Sequence, residues 1–263
     1  HTIVVAWKSE EERRISEDLH SVLKFTGVNF TGRAINSAVM RMNKQPLPLM
    51  LRARQTCVMP RLISSAVGKA DPDYNSQGDE LLFSTAMSSS SKIDGVMKVI
   101  LERKDNKRNK LVFCHFREEI DIICKRCREA KMDVASFDGR TQKDEREKLL
   151  QSSCDVLVLQ IQTGCEGLNL QQFKEVYFVS PTWNPAVEDQ AIARSHRIGQ
   201  TEPVDVFRFV MESFDKSAIT LDGHICNIQQ YKRKKATMLT KIKKKKKKTL
   251  ILKKKNASET TES

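Results

Sequence analysis

Between residues 92 and 212, short apolar runs alternate with stretches of helical length, and that alternation leaves few folds open. The runs are "KLVFCHF", "DVASF", "DVLVLQI", "EVYFVS" and "PVDVFRFV", starting at residues 110, 133, 155, 175 and 203. Runs of this length, rich in Val, Phe and Leu, read as strands, "DVLVLQI" as a buried one. Helices are predicted over 92–104, 117–131 and through "WNPAVEDQAIARSHRIGQ" (183–200). "DGRTQKDEREKLLQ" reads as a turn followed by a helix capped by Thr141. Strands separated by helices of this size argue for βαβ units on a parallel sheet. The expected fold class is α/β, a parallel-sheet lobe over 92–212 with helices on both faces.

Upstream, "HTIVVAW" alternates well enough for a short strand. "SEEERRISEDLHSVLKFTG" then reads as a helix, with Ser9 at the N-cap, three glutamates in the first turn and Gly27 as its stop. Ile15, Leu19, Val22 and Leu23 give that helix one apolar face. Two helical pieces are expected around "QPLPL", the second ending at Pro60. Residues 64–91 carry turn chemistry ("DPDYNSQGD", "SSSS") and read as a linker or surface crossing. A last helix over 213–235 runs into a tail, 236–263, expected to be disordered.

The net charge of +13 lies in that last part of the chain. Residues 232–255 hold 14 Lys and Arg and no acid, which leaves 32 basic against 33 acidic residues elsewhere. A nucleic-acid site on the body must therefore rest on local arrangement. The lysine run itself reads as a nuclear-import signal, a sequence-independent phosphate binder or a solvated end. The chain begins at His1 without a positive start and apolar stretch, so no secretory signal is in view, and the N-terminus is expected to be a cut or partial one. No apolar run is long enough to span a membrane. Seven irregularly spaced cysteines point to a reducing compartment. Cys124 and Cys127 form a C-x-x-C, but with no second ligand pair nearby they read as thiols on a helix before they read as a zinc site, and no structural metal is expected.

Two stretches carry chemistry. Gln190, Arg194 and Arg197 stand at i, i+4 and i+7, so a helix would place them on one face. Two guanidiniums there repel unless an anion lies between them. In "TGCEGLNL", Gly164 and Gly167 free the backbone to approach a ligand at a helix N-terminus, a natural phosphate site, though a tight turn without ligand fits as well. Both follow strand ends, and in open α/β sheets ligands bind outside the carboxyl ends of the strands.

These residues also carry a resemblance. "VLVLQIQTGCEGLNLQQFKEVYFV" followed by "PTWNPAVEDQAIARSHRIGQTEPVDVFRFV" resembles the fifth and sixth helicase motifs of the Swi/Snf-type ATPases, DNA-translocating members of helicase superfamily two. "KLVFCHFREEIDII" is similar to their fourth motif and "SFDGRTQKDEREKLLQ" to the segment after it. "LMLRARQTCVMPRLI" resembles the helix closing the first lobe, and "TLDGHICNIQQYKRK" the helix bracing the second. The resemblance implies a RecA-like C-terminal lobe over 92–212. It also implies that 1–63 is the mostly helical end of the first ATPase lobe, and that 213–235 is a brace helix.

By that resemblance Arg194 and Arg197 are arginine fingers reaching an ATP with Mg2+ held mainly by the other lobe, Gln190 positions the nucleotide or links it to the fingers, and Gly167 and Asn169 lie on the nucleotide side. Without the resemblance, an exposed helix face ion-paired through Glu188 and Asp189 explains the arginines. The implied partner is double-stranded DNA, free or on nucleosomes, gripped at its phosphates. Its implied contacts are His115, Phe116, Arg117, Gly139, Arg140, Thr141, Thr163, Gly164, Trp183 and Asn184, with a core position as the alternative for Trp183. Members usually have a glycine at Cys165 and an apolar residue at Glu166, so that loop departs from the pattern; Cys165 reads as a packing residue.

The sequence holds no G-x-x-x-x-G-K-S/T loop and no D-E-x-H motif. The expected function is therefore the C-terminal half of an ATP-dependent DNA translocase or remodelling-type ATPase that needs the N-terminal ATPase lobe as partner and does not hydrolyse ATP alone. The alternatives are a strand-separating helicase of the same superfamily and a non-catalytic fragment that binds DNA or a partner. The implied location is the nucleus, or cytoplasmic sites of viral DNA replication.

Overall fold

The computed structural model describes residues 1–29, 46–63, 90–142, 153–162 and 168–259, with side chains through Lys241. Its frame is one six-stranded, all-parallel sheet in the order β1-β6-β5-β2-β4-β3. The strands are β1 (Thr2–Val5), β2 (Asn109–Cys114), β3 (Val134–Phe137), β4 (Val156–Gln160), β5 (Phe173–Phe178) and β6 (Asp205–Met211). The helices are α1 (Glu10–Ser21), α2 (Pro46–Val58), α3 (Ser91–Glu102), α4 (Arg117–Glu129), α5 (Pro185–Ser195) and α6 (Leu221–Glu259).

The period of two along each strand sorts the apolar runs between two cores. Val112, Cys114, Val156, Val158, Tyr177 and Phe209 face one core, with α2, α3, α4 and the start of α6. Leu111, Phe113, Leu157, Leu159, Val176 and Phe178 face the other, where Ala191, Val187 and Ile192 of α5 cover them. Nearly every position in β2 and β4 is buried, as expected for central parallel strands with helices on both faces. Each such side chain contributes roughly 1.5–3 kcal/mol by leaving water.

The structure corrects the expected division of the chain. The stretch 1–63, read as the end of a preceding lobe, joins this same body. β1 is the edge strand of the sheet, paired in parallel with β6 from Thr2↔Arg208 to Val5↔Met211. Cys57, Val58 and Met59, at the end of α2 and just after it, lie in the same core as Val112 and Phe209. α1 starts as expected: Ser9 caps it, accepting the Glu12 amide at 3.2 Å. Gly27 ends the following turn at φ +76°, and a Cβ there would lie 2.2 Å from the Ser217 carbonyl oxygen, so no other residue fits without rearrangement. The two prolines of "QPLPL" sit in the first turn of α2, where their missing amides are no loss. The helix expected before "QPLPL", the stretch 64–89 and the helix expected after Thr141 lie outside the described residues.

The lysine-rich tail expected to be disordered instead continues α6 without a break to Glu259. From residue 224 to 259 there is no Gly or Pro, and Lys, Leu, Ala and Met are strong helix formers. At the other end, α6 is locked to the N-terminal segment by buried polar contacts. The Leu221 amide donates to Nε2 of His20 at 2.8 Å, while Nδ1 of His20 donates to the Ser16 carbonyl at 2.6 Å. The fully buried Lys92 and Asp222 form an ion pair, to which Ser180 Oγ (3.0 Å from Lys92 Nζ) and the Met211 amide (3.0 Å from Asp222 Oδ2) add hydrogen bonds.

Candidate nucleotide and nucleic-acid site

The predicted site residues fall into two groups at opposite ends of the sheet. Asn184 sets up the first. Its side chain accepts the Ala186 amide at 3.1 Å and starts α5, with Pro185 in the first position. α5 then runs back along β5 and ends at Ser195, so Arg197 is not on the helical stripe with Gln190 and Arg194. It stands in the turn 196–200, which leads towards the amino end of β6. Gln190 is exposed on α5, Arg194 is half-buried and Arg197 is exposed.

That turn is held by two glutamines. Gln171 Nε2 donates to the Ile198 carbonyl at 2.9 Å, and Gln200 Nε2 donates to the carbonyls of Gln171 at 2.9 Å and Ser195 at 3.1 Å. Gly199 supplies the left-handed backbone (φ +97°) that the turn requires. The Leu170 amide donates to the Arg194 carbonyl at 3.2 Å, which ties the segment before β5 to the end of α5. The result is an open concavity of about 510 Å³ lined by Asn169, Gln171, Ala193, His196, Arg197 and Ile198. It brings Asn169 and Arg197 together at the amino ends of β5 and β6, whereas the arginines were expected at a carboxyl end. Among the described residues no carboxylate lines it, and its exposed guanidinium and amide suit an anion such as one end of a triphosphate. Gly167, with Thr163, Gly164, Cys165 and Glu166, lies outside the described residues. The two glutamine braces were missed in the sequence; the available signal was the left-handed glycine beside Gln200, which marks a turn needing support.

The second group follows the carboxyl ends of β2, β3 and β5. After β2, His115 is buried and Phe116 half-buried, while Arg117 is exposed. The amides of His115 and Phe116, expected to be offered to phosphate, are both taken by Glu119 Oε2, at 2.8 and 3.0 Å. Burial pushes the Glu119 carboxyl up to about 7. His115 Nε2 accepts from the Arg54 guanidinium, and burial with this neighbour holds the imidazole well below its usual range. An imidazole accepting at Nε2 carries its proton on Nδ1, which is buried and has no hydrogen-bond partner among the described residues. Arg54 also donates to the Pro181 carbonyl, so one side chain of α2 connects the loops after β2 and β5.

After β3, the turn 138–141 closes through Thr141 N to the Asp138 carbonyl and Asp138 N to Thr141 Oγ1, both 3.2 Å. A Cβ on Gly139 would lie 3.4 Å from the Arg117 guanidinium, which puts these two predicted residues side by side. Arg140 is engaged by Asp138 at 2.6 Å and Asp121 at 2.9 Å. After β5, Trp183 is half-buried against the main core and meets His224 edge-on at 6.4 Å between ring centroids. Its carbonyl accepts from Lys232 Nζ at 2.8 Å, and Asn184 beside it is exposed. Cys124 and Cys127 are buried on α4, with burial raising both thiols, Cys127 to about 12.

Comparison with known proteins agrees with this architecture. Residues 91–199 match the helicase conserved C-terminal domain. The chain is 34% identical over 180 residues to DNA repair protein RAD5 of Candida albicans, covering 64% of this chain and 16% of that one. It is 33% identical over 172 residues to the Saccharomyces cerevisiae DNA repair protein RAD5, covering 60% and 14%. The chain thus spans about a sixth of the length of these curated relatives. Among solved structures, the C-terminal part of the Fun30 ATPase domain superimposes with TM-score 0.61 at 18% identity, covering 87% of this chain and 89% of that one. The Sulfolobus solfataricus SWI2/SNF2 ATPase core in complex with dsDNA gives 0.59 at 22% identity, covering 89% and 44%. The domain match over 91–199, the RAD5 relatives and the shared fold support a C-terminal, RecA-like helicase lobe of the Swi/Snf type in superfamily two.

Proposed function

We propose that this lobe is the C-terminal half of an ATP-dependent translocase on double-stranded DNA, of the remodelling or repair kind, and that Arg197, with Arg194 behind it, is its arginine finger. The observation that carries the reading is the braced turn that holds the exposed Arg197 beside Asn169 at the rim of an open concavity lined by no carboxylate among the described residues. An ATP with Mg2+ supplies the phosphoryl group. The sequence holds no G-x-x-x-x-G-K-S/T loop and no D-E-x-H motif, so the magnesium and the triphosphate are assigned to a partner N-terminal ATPase lobe. What this lobe contributes is a guanidinium fixed in position before the chemistry. As charge spreads over the γ-phosphoryl oxygens, such a group stabilises it without reorganising, an effect worth roughly 10³–10⁵ in rate. Gln190, exposed one turn before Arg194, is assigned to the nucleotide side.

DNA is assigned to the opposite end of the sheet. There Arg117, Gly139, Thr141, Trp183 and Asn184 offer a cation, backbone, a hydroxyl, an aromatic face and an amide, a set suited to phosphate and sugar rather than to base edges. Separate ends for nucleotide and DNA suit a machine in which closure of two lobes moves one relative to the other. The similarity to DNA repair proteins and to a core solved with dsDNA supports this assignment and a nuclear setting. The test is DNA-stimulated ATPase in the longer polypeptide carrying both lobes. Arg197→Ala is expected to lower turnover by about 10³ or more while duplex affinity persists; equal loss of both would move the turn to the DNA side.

A further inference from the structure

The charge of this protein is concentrated on one element whose placement the sequence does not reveal. α6 first packs on the lobe: Lys232 Nζ reaches the Trp183 carbonyl at 2.8 Å, and Arg233 grips Asp189 of α5 through two contacts of 2.8 and 2.9 Å. One residue later it leaves the body. Lys234, Lys235 and Lys241 are exposed, as is every residue between them, and the backbone stays helical to Glu259. From residue 234 to 255 there are 12 lysines and no acid. The helix therefore departs at Trp183, at the end of the sheet that carries Arg117, Gly139 and Thr141.

We propose that this extension of α6, residues 234–255, is a sequence-independent phosphate-binding arm for duplex DNA that prolongs the carboxyl-end loops of the lobe. Three observations carry it. The first is charge complementarity: at 1.5 Å per residue the arm is about 33 Å long, and a duplex of that length carries roughly 20 phosphates. The second is the side-chain type. Lysine is a flexible point charge that suits phosphate without fixing register or sequence. The third is position, since the anchors at Trp183 and Asp189 fix the arm's origin beside the candidate DNA loops. An anionic membrane is less suited, because no aromatic residue lies between 232 and 255 to seat the helix at an interface.

The arm also has a conformational signature. Lysines four apart on a helix repel, so each phosphate that neutralises them stabilises the helix, and binding and helicity rise together.

The test uses the 263-residue chain and a variant in which the six lysines 243–248 are all glutamine, a residue of similar helix propensity. Affinity for two duplexes of unrelated sequence is measured from about 50 to 200 mM salt. The parent is expected to bind both duplexes alike. The variant is expected to bind more weakly, with a log–log salt slope flatter by about 3 to 5, near one unit for each lysine engaged. Far-ultraviolet circular dichroism of the parent, but not of the variant, should gain helical signal on adding duplex. A slope change below about one unit, or equal competition by anionic vesicles at the same charge concentration, overturns the proposal. The outcome separates it from the assignment of DNA to the lobe's own loops. If the glutamine variant loses all binding, the arm stands and the loop assignment falls; if it keeps the parent slope while Arg117→Ala loses affinity, the reverse holds.

Discussion

Gln200 donates its side-chain amide to the main-chain carbonyl of Gln171, and Gln171 in turn donates to the carbonyl of Ile198, so two glutamines 29 residues apart lock the turn that carries Arg197. The turn has no regular secondary structure of its own, and Ile198 at its tip is fully exposed. Beyond one main-chain bond, from the Gln200 amide to the Arg197 carbonyl at 3.0 Å, its geometry rests on these two side chains. A guanidinium that must meet a phosphoryl group across a cleft loses rate steeply when displaced by about an ångström.

Gln200→Ala is therefore expected to cost only about 1–2 kcal/mol of stability, because the site is half exposed, yet to lower ATPase turnover of the two-lobed polypeptide by about tenfold or more. Duplex affinity and ATP affinity should change little. A comparison of kcat with KM in steady-state assays decides it, since loss confined to KM would place Gln200 in ground-state binding.

The Lys92–Asp222 pair makes a prediction about stability. Both groups are fully buried, and the pair joins the start of α3 to the start of α6. Lys92→Met leaves a buried carboxylate that accepts the Met211 amide at 3.0 Å but has lost its counter-ion, and should destabilise by about 3–5 kcal/mol. Adding Asp222→Asn removes the stranded charge and keeps an acceptor for that amide, so the double variant should recover at least half of the loss in urea denaturation.

Two buried titratable groups oppose each other. Burial pushes the His20 imidazole down to about 4, so between its unfolded value near 6.5 and about 4 the unfolded chain binds more protons and stability falls as pH falls, by up to roughly 3 kcal/mol. Burial pushes the Glu119 carboxyl up to about 7, so from about 4.5 to 7 the folded chain binds more protons and stability falls as pH rises by a similar amount. Across the shared window these two slopes nearly cancel, which leaves the rise of stability with pH that the depressed His115 imidazole adds. Glu119→Gln keeps an acceptor for the His115 and Phe116 amides but removes one slope, and its stability should rise clearly between about pH 5 and 6.5. Denaturation midpoints that rise with pH no more steeply than those of the parent would count against the assignment.

At the end of the sheet proposed to meet DNA, the surroundings of two neighbouring arginines differ. Arg140 is engaged by Asp138 and Asp121, whereas Arg117 lies exposed beside Gly139. Arg117→Ala should weaken duplex binding several-fold and reduce the salt slope by about one. Arg140→Ala should do less, while Asp121→Asn should strengthen binding by releasing part of its neighbour's charge. Salt titrations of the three variants rank them.

Much of this protein is legible locally. The alternation of apolar runs marks β2 to β6, because a strand buried on both faces needs apolar residues at successive positions. Ser9 and Asn184 mark helix starts, because a short polar side chain is what satisfies a first-turn amide. The order of "GLNLQQF" and "RSHRIGQ" identifies the family. What the local pattern could not show is which distant groups meet. "TIVV" fits any sheet edge, and only pairing with β6, some 200 residues away, makes residues 1–5 part of this lobe. Helical spacing places Arg197 on a stripe until α5 ends at Ser195 and the glutamine brace redirects it. The amides after β2 look available for phosphate until Glu119 folds back and takes both. Propensity and capping act within a few residues of a position, so sequence by itself determined the elements and the family. Strand pairing, buried ion pairs and long-range hydrogen bonds depend on contacts across the whole chain, so only the tertiary structure decided which end of the sheet each charge serves.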